Sequence, residues 1–135
     1  MHLNNISPTL SGVHLGYRIS PRFSPLRLTA QTHSEVELSV EIENTGEESC
    51  WTECDVVLPE ALSLARDRDL SKGRLRIGII NAGEILIGKC KIYAGAKSYP
   101  DIFPIKLIVY GFGKDGAIHQ REERKTELRC ERIGR

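Results

Sequence analysis

Between residues 35 and 43 the chain alternates. Val36, Leu38, Val40 and Ile42 are apolar, and Glu35, Glu37, Ser39, Glu41 and Glu43 between them are polar. In a strand, successive side chains point to opposite faces, so this stretch carries one oily face and one charged face. A helix would scatter the same residues around its circumference. The pattern therefore demands a half-buried strand and a second layer to cover its oily side. Asn44-Thr45-Gly46 ends the run with turn chemistry.

The same period of two recurs down the chain. Cys50, Thr52, Cys54, Val56 and Leu58 share a face up to Pro59, and Leu62 and Leu64 continue as a short strand. Leu75, Ile77 and Ile79 alternate up to Asn81-Ala82-Gly83, and Leu86, Gly88, Cys90 and Ile92 follow. Phe103, Ile105, Leu107 and Val109 form another strand, and residues 118–130 a long, charged final one. Short strands, turn signals at intervals of roughly 8–13 residues and no wide helical stripe predict an all-β antiparallel β-sandwich of about seven to eight strands. Its first strand is the one place where a parallel pairing is expected. A chain of 135 residues suits one domain with a core of its own. Residues 1–25, with Pro8, Pro21, Pro25, Gly12 and Gly16, read as an irregular leader or edge strand ahead of the sandwich at 26–135.

These residues also carry a resemblance. Val40-Glu41-Ile42-Glu43-Asn44-Thr45-Gly46 resembles the second strand of bacterial and archaeal immunoglobulin-like domains, in particular the cell-adhesion-related domain found in bacteria. Val57-Leu58-Pro59, the segment from Ile77 to Glu84 and the strand from Phe103 to Gly111 are similar to later stretches of such domains. The likeness covers about residues 26–130. It implies an immunoglobulin-like β-sandwich that serves as a protein-contact module. Sandwiches of the major-sperm-protein type share the architecture and carry the same implication.

Charge is sorted along the chain even though it sums to +1. Residues 1–34 carry +3, residues 35–69 carry −9, residues 70–118 carry +5 and residues 119–135 carry +2. The near-neutral total excludes bulk polyelectrolyte binding. The sorting allows a sided contact with a protein partner or a second copy, through a sheet edge or the acidic block. The plainer reading is that neighbouring strands exchange ion pairs of a few tenths of a kcal/mol to about 1 each.

Other chemistries find weak support. Cys50 and Cys54 share a strand face but stand about 13 Å apart at ~3.3 Å per residue, too far for a disulfide or a shared zinc without a turn. Cys50, Cys54, Cys90 and Cys130 are expected as core side chains, with a cysteine-based metal or redox protein as an alternative. Gly111-Phe112-Gly113-Lys114-Asp115-Gly116 spells a dinucleotide fingerprint, yet no amphipathic helix follows it, so a glycine-rich hairpin loop is expected. The four histidines form no metal-spaced pair, and no nucleophile elbow is present.

On the final strand Arg121, Lys125 and Arg129 face one side, interleaved with Glu123 and Glu127. That basic strand makes a nucleic-acid-associated protein a second alternative, disfavoured by the interleaved acids. Trp51, the one tryptophan, is either an exposed anchor for a partner or packed under the leader. Trp51, Arg121, Lys125 and Arg129 are the candidate partner contacts. No cofactor, no catalytic residue and no membrane span are expected. With no export signal, the chain reads as cytoplasmic. Only one Met, four Asn and two Gln beside 27% charged residues give it a thermophile-like composition. The expected role is a non-catalytic protein–protein interaction or structural module.

Overall fold

A computed structural model of the chain describes Thr9, Leu10 and residues 13–133. The described residues are all-β, without a helix. A minimal hairpin pairs β1 (Thr9–Leu10) with β2 (Val13–His14). Eight further strands follow: β3 (Tyr17–Ser24), β4 (Arg27–Thr29), β5 (Ser34–Asn44), β6 (Cys50–Val57), β7 (Lys72–Ile80), β8 (Ile85–Ala94), β9 (Asp101–Phe112) and β10 (Ile118–Glu131). They form a three-stranded sheet, β3-β5-β8, and a five-stranded sheet, β4-β10-β9-β6-β7. No described helix is long and apolar enough to cross a membrane.

The alternation of residues 35–43 builds the central strand of the smaller sheet. Val36, Leu38, Val40 and Ile42 are withdrawn from water and meet Cys54, Val56, Ile105, Leu107, Val109 and Leu128 of the larger sheet in one core. Each aliphatic side chain so buried contributes about 1.5–3 kcal/mol. Two crossings close the sides. On one, the chain leaves the small sheet at β3 and joins the large one at β4, with a cis Ser24–Pro25 bond between them. β4 runs parallel to the end of β10, so the parallel exception falls on the second half of this switch. On the other side β7 and β8 are joined by the turn at 81–84.

Two polar plugs fix the layers. Asn44, fully buried, donates through Nδ2 to the carbonyls of Glu48 and Ile80 and accepts from the Gly46 amide. The Asn-Thr-Gly turn is thereby tied across to the end of β7. Tyr17 Oη and Thr52 Oγ1 lie 2.8 Å apart inside the core, and burial raises the phenol's pKa. Gly111 makes room for them: a Cβ there would sit 2.5 Å from Tyr17 Oη and 2.8 Å from Gln120 Cγ.

Some local expectations change. Tyr17–Ser24 is a regular edge strand paired with β5; Pro21 is tolerated because an edge needs fewer ladder donors. Pro8 and Gly12 lie outside the described residues. Leu62 and Leu64 do not form a strand. Ser63 Oγ accepts from the amides of Ala65 and Leu70, and its one proton lies within reach of the carbonyls of Ala65 and Arg68, which folds 63–70 into a loop with one bridge to Tyr93. Residues 113–117 form the hairpin loop read from the glycines, closed by Gly113 N to Ala117 O.

Candidate functional site

The two sheets differ on their outer faces. On the small sheet the acids of β5 are answered across the strands: Glu43 by Arg18, Glu41 by Arg22, Glu37 by Lys89, and Glu35 by Lys91 and Arg66. Much of the −9 block is thus neutralised where it stands. Glu47, Glu48, Glu60 and Asp69 of that block make no ion pair with the described residues.

The outer face of the large sheet is organised differently. Trp51 on β6 pairs with Ile79 on β7 and with Phe112 on β9, and Phe112 pairs with Ile118 on β10. Ile79, Trp51, Phe112 and Ile118 therefore form one row across four strands, about 14 Å wide at ~4.8 Å per strand. Ile79, Trp51 and Ile118 are 59%, 41% and 55% exposed, far more than a core side chain. The row lies at the end of the sheet that bears the loops 45–49, 81–84 and 113–117.

Two bulges create it. At Thr52/Glu53 the β6–β7 register skips Ile77, and Gly78 takes a φ of +115°. The skip turns Ile79 outward and Ile80 into the core, where Ile80 is fully buried. On β10, His119 is the extra residue between Ile118 and Gln120, which turns Ile118 outward. Its ring lies against Gly113, where a Cβ would collide with it. Uninterrupted alternation would place Ile79 inward with Leu75 and Ile77, and Ile118 inward with Leu128 and Cys130. Sequence reasoning therefore misses both; the glycine within a strand was the available signal.

Below the row the face is polar and tightly linked. Trp51 Nε1 donates to Glu53 Oε2 at 2.7 Å, and Glu53 accepts from Arg74 at 3.2 Å. Arg74 also holds buried Asp55 through Nε at 2.6 Å and Nη2 at 3.2 Å, which raises the guanidinium pKa further. Its guanidinium lies 5.0 Å from the Tyr110 ring centroid. The indole is thereby held in one orientation by this chain of hydrogen bonds.

Trp51, Arg121, Lys125 and Arg129 all lie on this face. Arg121 pairs with Tyr110, one step below the row; Lys125 pairs with Lys106 farther down; Arg129 pairs with Ile102 at the far end. From Arg121 to Arg129 is about 27 Å at ~3.4 Å per residue, so the four do not make one contact patch. Trp51 and Arg121 belong together, whereas Arg129 is tied to Glu131 beside β4. Lys72, Arg76 and Lys125 have no ion-pair partner among the described residues, and the face carries surplus positive charge.

The cysteines sit as core side chains. Cys50, Cys54 and Cys130 are buried, Cys90 is half-buried, and all are free thiols. Burial pushes Cys54 up to about 12 and Cys90 up to about 11. Among the described residues no three His, Cys, Asp or Glu side chains cluster as metal ligands. A concavity of about 820 Å³ lies at the opposite end under the loop of Ser63, between His33 and Tyr93. It is shallow, and Arg66 spans it to Glu35.

No protein-family model and no curated protein matches the chain. Solved structures are similar in fold at low identity. AvmM, which catalyses macrocyclization in alchivemycin A biosynthesis, is 10% identical with a TM-score of 0.60, covering 96% of this chain and 97% of that one. BcpA, the major pilin subunit of Bacillus cereus, is 8% identical with a TM-score of 0.53, over 85% of this chain and 40% of that one. BslA, a bacterial hydrophobin, is 12% identical with a TM-score of 0.50, over 89% and 98%. At these identities the likeness establishes an all-β fold shared by proteins of varied roles.

Proposed function

We propose that the chain is a non-catalytic, immunoglobulin-like contact module that docks a protein through the outer face of its five-stranded sheet. The observation that carries this reading is the row Ile79–Trp51–Phe112–Ile118, with Ile79, Trp51 and Ile118 exposed on a face that is mostly charged. A rigid tryptophan flanked by an isoleucine and a phenylalanine is the composition of an interface hot spot. The strand order, with the chain switching sheets between β3 and β4, supports the immunoglobulin-like assignment. A pilin subunit among the structural neighbours fits an assembly role for such a fold.

A protein is favoured over nucleic acid because carboxylates sit among the bases. Glu53, Asp55, Glu123 and Glu127 lie on the same face, and the Tyr110 ring is already covered by Arg74. Phosphates want unneutralised bases with open ring faces beside them.

The test compares tagged wild type, Trp51→Ser and, on the opposite face, Arg22→Ala for what each retains on purification from its source. Trp51 is exposed, so the variant keeps its fold, which circular dichroism checks. A protein retained by wild type and Arg22→Ala but lost from Trp51→Ser supports the reading. An identical protein profile for all three, or nucleic acid retained instead, overturns it.

A further inference from the structure

The apolar row ends where the loops begin, and the two zones carry opposite charge. The loops 45–49, 81–84 and 113–117 hold Glu47, Glu48, Glu84 and Asp115 against the single base Lys114. One step below the row, on the sheet itself, Arg76 and Arg121 stand at its two sides, with Tyr110 and Glu53, which Arg74 already holds, between them. Acid lies beyond the row in one direction and, at its two flanks, base in the other. Such a surface complements itself if two copies meet with their strands antiparallel.

We infer that the occupant of this face is a second copy of the chain, laid row upon row about a two-fold axis that runs along the row. This inference rests on the contact reading above and names its partner. Rotation about that axis sets Ile79, Trp51, Phe112 and Ile118 of each copy on the same residues of the other. It also carries Arg76 over the other copy's 81–84 turn, with Glu84, and Arg121 over its 113–117 loop, with Asp115. The alternative two-fold axis, parallel to the strands, would stack Arg76 on Arg121 of the other copy and juxtapose like charges. Charge thus selects the antiparallel arrangement. Closed two-fold symmetry needs a self-complementary patch, and this one pairs apolar with apolar and base with acid.

A row of four side chains with two flanking arginines a copy falls far short of the ~20–30 residues a side of a stable interface, so the dimer is weak and dissociates on dilution. Sedimentation velocity of the purified protein from about 10 μM to about 1 mM reads it directly, a range set by weak interfaces. The dimer fraction rises with concentration in wild type and in Ile87→Asp, a control on the outer face of the other sheet. Trp51→Ser and Ile79→Asp stay monomeric while circular dichroism shows an unchanged fold. Arg76→Glu weakens association about tenfold, and adding Glu84→Arg restores it. A wild type that remains monomeric across the range, or a dimer that survives both Trp51→Ser and Ile79→Asp, overturns the second-copy inference. A monomer that still retains a different protein through Trp51 leaves the contact reading standing, so the two fail separately.

Discussion

The two outer faces of this molecule are both built largely from charged side chains, with different results. On the three-stranded sheet, Arg18–Glu43, Arg22–Glu41, Lys89–Glu37 and Lys91–Glu35 answer each other across neighbouring strands. Its apolar side chains lie on the edge strand β8, exposed Ile85 and Ile87 and Tyr93 beneath Arg66. On the five-stranded sheet, ion pairs anchor an exposed indole, and Lys72, Arg76 and Lys125 make no ion pair among the described residues. Neutralising charge locally makes a face that suits water. Leaving charge unmatched next to an apolar row makes a face that suits a partner. The net charge of +1 hides this difference, because it adds the two faces together.

The sharpest way to separate them is to cut one ion pair on each. Arg74→Ala strands the Asp55 carboxylate, whose side chain is only 3% exposed. Breaking a buried pair from one side is strongly destabilising, and the half-exposed arginine reduces the effect to about 2 kcal/mol. Urea unfolding at neutral pH measures it, and a loss near zero would show that Asp55 finds water or another partner. Arg18→Ala on the other face removes a solvated bridge, 70% exposed on the arginine side. It shifts the same unfolding curve by about 0.5 kcal/mol or less. Equal losses from the two variants would erase the distinction between the faces.

The smallest effect is one of pH. The hydrogen bond from Lys91, followed by that from Arg66, holds the Glu35 carboxyl below its ordinary range, outweighing the opposing effect of burial. A carboxyl whose folded pKa is depressed stabilises the fold above the unfolded value, about 4.3, and loses that contribution as pH falls through the folded value. Lys91→Ala should therefore lower the melting temperature slightly at pH 6, with the difference from wild type closing below about pH 3. A gap that stays constant to pH 2 would assign the lysine's effect to packing instead.

Much of the architecture was legible because it rests on period two. The apolar face of β5, the long charged β10, the hairpin loop at 113–117 and the burial of Cys50, Cys54 and Cys130 all follow from counting alternate residues. For Trp51 alternation gives only the face opposite Thr52 and Cys54, leaving open whether it is exposed or packed under the leader; it is exposed. Its neighbours in the row do not follow from alternation. Ile79 and Ile118 reach the outer face only because Ile77 and His119 are extra residues in their ladders, and alternation carries no information across an insertion. The loop at 63–70 was hidden for another reason. One hydroxyl, Ser63 Oγ, lies within hydrogen-bond reach of four backbone groups there, and a two-leucine pattern cannot reveal that competition.

The two bulges also bear on how such a surface is gained or lost. Removing Gly78 would set Ile77 opposite Thr52 and close the ladder with Ile79 still opposite Trp51, and removing His119 would likewise leave Ile118 opposite Phe112. A one-step slip without any deletion does the reverse: with Gly78 opposite Trp51, Ile79 falls opposite Cys50 and turns inward with Leu75 and Ile77. Composition is the same in both registers, and only the outside of the molecule differs. For this fold, where a ladder carries its spare residue decides what the surface shows, and substitution tables are blind to it.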